Sequence, residues 1–396
     1  MDGSSRRYSR RLSWSVPLSP LALLVEEKIA RGVVLLDLTS SNPTRASLPY
    51  SETLLSALTH PAGLVYQPDP AGVPAARAAI AGYYAERGYA VDPEHLVLTA
   101  STSEAYAWLF KLLCDPGDAV LVPQPSYPLF DYLAALESVL LRPYPLGFDG
   151  HWYLDVAELE RVSGGARAAL LVHPNNPTGS FLSRTEWEAL VALAEVRGLA
   201  LVVDEVFSDF GFTTSDDRLD STVSETRVLT FTLSGLSKVV GLPQLKLGWI
   251  HVGGPTVEVE EALARLELVA DTYLSVSTPV ALATPRLLAE RRQLAGPIAR
   301  RTADNLALVA AAVQDSPVSL LPVSGGWYAM LRLPRTQSDE AWALTLVERD
   351  GVLVQPGYFY DVPLEACLVI SLLTPPEILK EGLGRLLRRV EMDAGG

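Results

Sequence analysis

Lys238 ends the run Thr-Leu-Ser-Gly-Leu-Ser-Lys that begins at Thr232, and a second lysine, Lys246, follows shortly before Trp249. The preceding stretch, Val228 to Leu233, is dominated by large and β-branched apolar residues and reads as a buried strand. It breaks at Ser234–Gly235 into a small-residue loop that delivers Lys238, and another apolar run, Leu245 to Val252, comes next. An amine held between two buried strands loses hydration, which favours its neutral form. Neutral lysine attacks carbonyl carbon, so Schiff-base formation is the chemistry this position could do. Two further polar residues end or follow apolar runs: Asp204 after Leu199 to Val203, and Asn176 within Asn175-Asn-Pro-Thr-Gly179. Each has an ordinary reading as well. A lone lysine is commonly a surface residue, an aspartate there caps a helix, and Asn-Pro makes turns.

The elements around these residues decide between the readings. Leu96 to Thr99 is a strand, and Ser101-Thr102-Ser103 caps a helix running to about Cys114. Ala119 to Pro123 is a strand, and Pro125-Ser-Tyr127-Pro opens a helix to Glu137. Strand Val139 to Pro143, helix Val156 to Val162 and strand Ala168 to Val172 follow. Then a helix starts at Ser183 with Glu186 completing a capping box. Short buried strands alternating with helices mean a mostly parallel sheet covered on both faces, an α/β architecture. In such sheets ligands sit at the carboxyl ends of the strands. Ser101, Thr102, Ser103, Tyr127, Asn176, Asp204 and Lys238 all fall on that edge.

Outside this core the pattern differs. Residues 18–31 read as an amphipathic helix ending at Gly32, then a strand over Val33 to Leu38. Pro61 to Pro74 reads as loop and contains Tyr66; a helix over 74–87 follows. Beyond residue 254 come long helices over 256–274 and 278–314. A smaller α+β unit completes the chain: strand Trp327 to Leu333, helix 338–349, strands Val352 to Val354 and Cys367 to Leu372, and helix Glu377 to Val390. The expected division is a large domain over 46–289 and a small one built from 1–45 and 290–396.

Composition excludes several functions. At 396 residues with 48% hydrophobic content the chain can bury a large core, and no apolar stretch is long enough to span a membrane. A net charge of −14 argues against nucleic acid as a partner. Cys114 and Cys367 lie far apart in apolar contexts, as expected of a cytoplasmic protein. The five histidines have no metal-ligand spacing, so no metal is expected. Met1 to Arg11, with Arg6, Arg7, Arg10 and Arg11, reads as a disordered or partner-docking arm.

In their order and spacing, Asn175-Asn-Pro-Thr-Gly179, Asp204-Glu205 and Ser237-Lys238 before Gly241-Leu-Pro resemble the class I/II aminotransferases, the aspartate aminotransferase-like enzymes of fold type I. The resemblance extends from about residue 35 to the C-terminus. It implies a three-layer fold, pyridoxal 5′-phosphate as cofactor, and exchange of an amino group between a small-molecule donor and a carbonyl acceptor. It implies that Lys238 carries the Schiff base and moves the proton, that Asp204 faces the pyridine nitrogen, and that Asn176 donates to the ring O3′. Tyr127 is implied as the stacking aromatic, and Ser101, Thr102, Ser103, Ser237 and Lys246 as the phosphate cup. Tyr66 matches a tyrosine that reaches the phosphate from a neighbouring subunit, which implies a homodimer.

Four positions depart from the family pattern. Phe207 stands where a tyrosine is usual, so the lysine linkage is expected to hold its proton to higher pH. Lys246 replaces a phosphate-gripping arginine, a point charge for a fork. Gly235 stands where serine is frequent, with Ser234 beside it. The strand Cys367-Leu-Val369-Ile-Ser371 places Val369 at the arginine that pairs with the substrate α-carboxylate. Arg332 and Arg45 are the candidates to replace it, though each reads as a surface arginine. The missing arginine also leaves open another cofactor-dependent reaction on the same fold: a lyase, a decarboxylase or a biosynthetic cyclase.

Overall fold

The computed structural model describes residues 8–12 and 18–394. Arg6, Arg7 and Trp14 lie outside the described residues, while Arg10–Leu12 form a single 3-10 turn and Arg11 donates to the Leu136 carbonyl at 3.4 Å.

The large sheet has eight strands in the order Leu96–Thr99, Gly248–Gly253, Thr230–Gly235, Ala200–Asp204, Ala166–Val172, Ala119–Gln124, Leu140–Phe148 and Trp152–Leu154. The five from Thr230–Gly235 to Leu140–Phe148 run parallel. Gly248–Gly253 is antiparallel to both of its neighbours, and Trp152–Leu154 closes an antiparallel hairpin at the far edge. Successive residues of a strand point to opposite faces, and the core follows that rule. Val202 packs with Tyr106, Phe110, Phe130 and Leu266 on one side of the sheet. Leu201 and Val203 pack with Leu159, Trp187 and Leu190 on the other. This is the three-layer α/β arrangement expected from the sequence.

A second, four-stranded antiparallel sheet runs Ser319–Leu320, Tyr328–Arg332, Cys367–Ser371, Gln355–Pro356. Leu36–Asp37 pairs in parallel with Val352–Leu353. Leu21 and Leu38 share one buried cluster with Val309, Trp342, Leu368 and Leu386, so the N-terminal segment packs among C-terminal elements.

Several boundaries differ from expectation, for local reasons. The strand over Val33 to Leu38 shrinks to Leu36–Asp37, and Val34 is 87% exposed. The helix expected from Pro125 begins only at Phe130, because Pro125 and Pro128 hold their preceding residues extended. The strand expected to stop at Pro143 continues to Phe148. Its hairpin partner covers only Leu146–Phe148, so Pro143 and Pro145 have strand pairing on one side alone, which a proline tolerates. The single helix expected over 278–314 is two, Thr278–Ala289 and Arg291–Val313, divided at Glu290. Lys238 lies in a one-turn helix, Leu236–Val239, rather than in a loop.

Candidate active site

A cavity of about 430 Å³ opens at the carboxyl ends of the parallel strands. Ser101, Thr102, Ser103, Tyr127, Asn176, Asp204, Phe207, Ser237, Lys238 and Lys246 all line it.

The helix Thr102–Leu113 begins at this cavity. Ser101 is its N-cap, accepting the Glu104 amide at 3.2 Å, and Glu104 in turn accepts the Ala100 amide at 2.6 Å. The remaining first-turn amides, with the hydroxyls of Thr102 and Ser103, make a site suited to an anion. Gly248 brings a second backbone close: a Cβ there would lie 3.2 Å from the Ser101 carbonyl carbon. Lys246, held at φ 53°, precedes it.

Asparagine 175 and Asn176 divide their work. Asn175 forms the turn, its Oδ1 accepting the Thr178 hydroxyl at 2.9 Å and its Nδ2 donating to the Pro125 carbonyl at 3.3 Å. Asn176 is buried and lines the cavity, and its Oδ1 has no partner among the described residues. The ordinary turn role therefore belongs to its neighbour.

Asp204 ends the strand Ala200–Asp204 and is buried. Burial pushes its carboxyl from 3.8 up to about 6, against the lowering effects of the Val206 amide, the Tyr106 hydroxyl and Lys238. Lys238 carries the complementary change, its amine lowered by burial and partly restored by Asp204. The Lys238 Nζ stands 5.0 Å from the Trp327 ring centre and 5.5 Å from that of Phe207. No hydrogen bond holds it among the described residues, so it remains available to react. Gly235 makes its position possible: a Cβ there would come within 2.9 Å of the Leu247 carbonyl.

Tyr66, implied to serve a neighbouring subunit, lies outside this cavity and is 77% exposed. Arg332 and Arg45 are not among its lining residues either, so neither occupies the place of the missing arginine. Sequence reasoning also overlooked contributors. Tyr106 donates to Asp204 at 3.1 Å, and its position one helical turn after Ser103 was the available signal. Tyr328, Gln355, Phe359 and Tyr360 form the opposite wall; the first two come from the second sheet and the others from the 3-10 turn Gly357–Tyr360 that follows it, and no local pattern marks them.

The family model for aminotransferase class I and II matches residues 37–386. This chain belongs to the class I and II aminotransferases. It is an enzyme of the transferase class, in a family and fold of pyridoxal-phosphate enzymes that act on amino and keto acids. The LL-diaminopimelate aminotransferase of Desulforudis audaxviator is 28% identical over 92% of this chain and 92% of its own. The arginine–pyruvate transaminase of Pseudomonas aeruginosa is 27% identical over 94% of this chain and 93% of its own. Among solved structures, an alanine aminotransferase from Pyrococcus furiosus superposes with a TM-score of 0.88 at 22% identity, covering 98% of this chain and all of that one. These relatives favour transamination over the lyase, decarboxylase or cyclase alternative. The chemistry of the cavity agrees with a pyridoxal-phosphate site: an anion cradle, an amide, an acid and an amine all face one space. No described helix is long and apolar enough to cross a membrane, and no described group of acidic, histidine or cysteine side chains could hold a metal ion.

Proposed function

We propose that this aminotransferase uses pyridoxal 5′-phosphate, anchored covalently by Lys238. The observation that carries the reading is the meeting of Lys238, Asp204 and Asn176, whose buried Oδ1 has no partner among the described residues, in one cavity. Ser101, Thr102, Ser103, Ser237 and Lys246 would hold the phosphate. Asp204, Asn176 and Tyr127 would hold the ring. When bound, the cofactor supplies an aldehyde that condenses with amines and a ring that takes up the electron pair left on Cα.

The protein's own groups then have distinct tasks. Asp204, with the Tyr106 hydroxyl and Val206 amide on its oxygens, would keep a proton on the ring nitrogen. Lys238, its amine depressed by burial, would take the proton from the substrate carbon that bears the amine. Phe207 and Trp327 flank the Lys238 amine and keep water from its apolar side. An amino donor and a carbonyl acceptor use the site in turn.

The proposal extends to a homodimer. Leu64, Val65 and Tyr66 form a consecutive apolar run that is 92, 61 and 77% exposed, a surface suited to a partner subunit. Tyr66 would then serve the partner's phosphate site. The free thiols of Cys114 and Cys367 are consistent with a cytoplasmic location. A large domain over 46–289 and a small one over 1–45 and 290–396 would place the cavity at their junction.

Borohydride reduction of the yellow holoenzyme, followed by digestion and mass spectrometry, tests the anchor. The expected result is a pyridoxyl adduct on the peptide bearing Lys238; an unmodified peptide refutes it. Sustained turnover should require a carbonyl acceptor, whereas ammonia release without one would identify a lyase.

A further inference from the structure

Val369 lies in the buried strand Cys367–Ser371, level with Met330 on one side and Gln355 on the other. Residues level across an antiparallel pair share a face, so Val369 looks the same way as Gln355, which lines the cavity. Val369 is covered there, packed in one apolar cluster with Met330, Trp152 and Tyr360. The Tyr360 hydroxyl donates to Gln355 Oε1. That contact fixes which end of the amide faces outward, and the two hydrogens on Gln355 Nε2 have no partner among the described residues. Gln355 and Tyr360 line the same cavity as Lys238, on the wall that Tyr328 joins to Phe207, the ring beside the amine.

The charges around the cavity are few. Among the described residues, Lys238, Lys246 and Asp204 are the only charged ones lining it. In the function proposed above, Lys246 would serve the cofactor phosphate and Lys238 the reacting carbon, so neither positive charge is left to pair with a substrate carboxylate. A substrate carboxylate at Gln355 would give up hydration to meet neutral donors only, an unfavourable exchange. A neutral carbonyl oxygen loses far less water and accepts one of the Gln355 hydrogens equally well. The neighbouring wall of Leu129, Leu133 and Phe359 is apolar.

We infer that Gln355, oriented by Tyr360, is the substrate-recognition group of this enzyme. It receives an uncharged acceptor, an amide or ester carbonyl on the carbon bearing the amine, where the family ordinarily places a free carboxylate. The inference concerns the substrate of the function proposed above and rests on it.

Matched pairs test it. Leucine and leucinamide, and phenylalanine and phenylalaninamide, are mixed with the holoenzyme, and loss of aldehyde absorbance is followed. The amide of each pair should react with at least about tenfold higher kcat/KM, the scale of one well-placed hydrogen bond. A preference for the carboxylate overturns the inference. A second readout needs no reaction: calorimetric titration of the holoenzyme with isocaproamide and isocaproate should show tighter binding of the amide, and equal or reversed affinities count against the inference. If neither member of any pair changes the absorbance, the borohydride adduct still decides the function proposal and the calorimetric comparison decides the recognition claim. Gln355→Glu should abolish the amide preference, and Val369→Arg should shift it toward the carboxylate. Retention of the wild-type preference in folded Gln355→Glu overturns the role of Gln355.

Discussion

The Tyr106 hydroxyl donates to Asp204 Oδ2 at 3.1 Å, while the Val206 amide donates to Oδ1 at 3.0 Å. One bond comes from a helix that crosses the sheet, the other from the turn after the strand, and together they hold the carboxylate in the plane in which it meets the cavity. Burial drives Asp204 toward its neutral form, and these two donors oppose it. Tyr106→Phe should therefore raise the Asp204 pKa further and cost ~1 kcal/mol of stability above that pKa, the net worth of one hydrogen bond. Denaturant unfolding of the cofactor-free protein measures the stability. Equilibrium dialysis should show weaker cofactor retention, because the acid proposed to face the ring nitrogen is ionised less often.

Phe207 packs edge-on against Trp327 at 5.3 Å, and both rings stand beside the Lys238 amine. Aromatic faces favour a cation near them, and Phe207 has no hydroxyl to favour the deprotonated linkage. The absorbance titration of the holoenzyme should have its midpoint above that of Phe207→Tyr, by roughly one pH unit if the new phenol adds one hydrogen bond. Superimposable titrations would show that this residue does not set the protonation state.

His173 and His251 bear on acid stability. Burial lowers each from 6.5 to about 4. In His173, Nδ1 accepts the Leu182 amide at 3.1 Å and Nε2 bonds the Leu219 carbonyl at 2.8 Å, an arrangement that needs the neutral ring. A depressed folded pKa gives stability that is complete above 6.5 and is lost as pH falls toward 4, worth ~3 kcal/mol per histidine. Asp204 acts in the opposite sense: its raised value favours the fold as pH falls from about 6 to 3.8. Glu205 and Asp361, raised by burial as well, act in the same sense as Asp204, so the histidine contribution is read as the difference in pH dependence between wild type and a histidine variant. His173→Gln should reduce the slope in unfolding experiments run at several pH values.

Gly248 is the closest approach beneath the phosphate cradle. A methyl group there would meet Thr99 Oγ1 at 3.1 Å and backbone atoms of Ser101 and Ser234 at 3.2 Å. Backbone on two sides leaves little room to yield, so Gly248→Ala should destabilise by ~1–3 kcal/mol. It should also speed release of the cofactor phosphate by displacing Ser101, measurable as loss of bound cofactor on dilution.

Much of this protein was legible in its order of residues. Strands buried on both faces leave near-continuous apolar runs, helices leave caps such as Ser183 with Glu186, and the alternation of the two fixes a parallel sheet with its polar residues on one edge. Lys238, Asp204 and Asn176 could be found for that reason: each is a polar residue at the end of an apolar run, where the chain must surface. The opposite wall could not. Tyr328, Gln355 and Tyr360 reach the cavity only because a second sheet, far along the chain, docks against the first. Tyr328 and Gln355 obey the same period-two alternation as any buried strand, and Tyr360 ends a short 3-10 turn, patterns that say they face something but not what. Val369 shows the limit most clearly. Its place at the missing arginine follows from the sequence, yet only the pairing of its strand with Gln355, and the hydroxyl of Tyr360 on that amide, decided what stands there instead. Local order is written by neighbours along the chain, whereas a site shared by two sheets is set by long-range packing that no short stretch encodes.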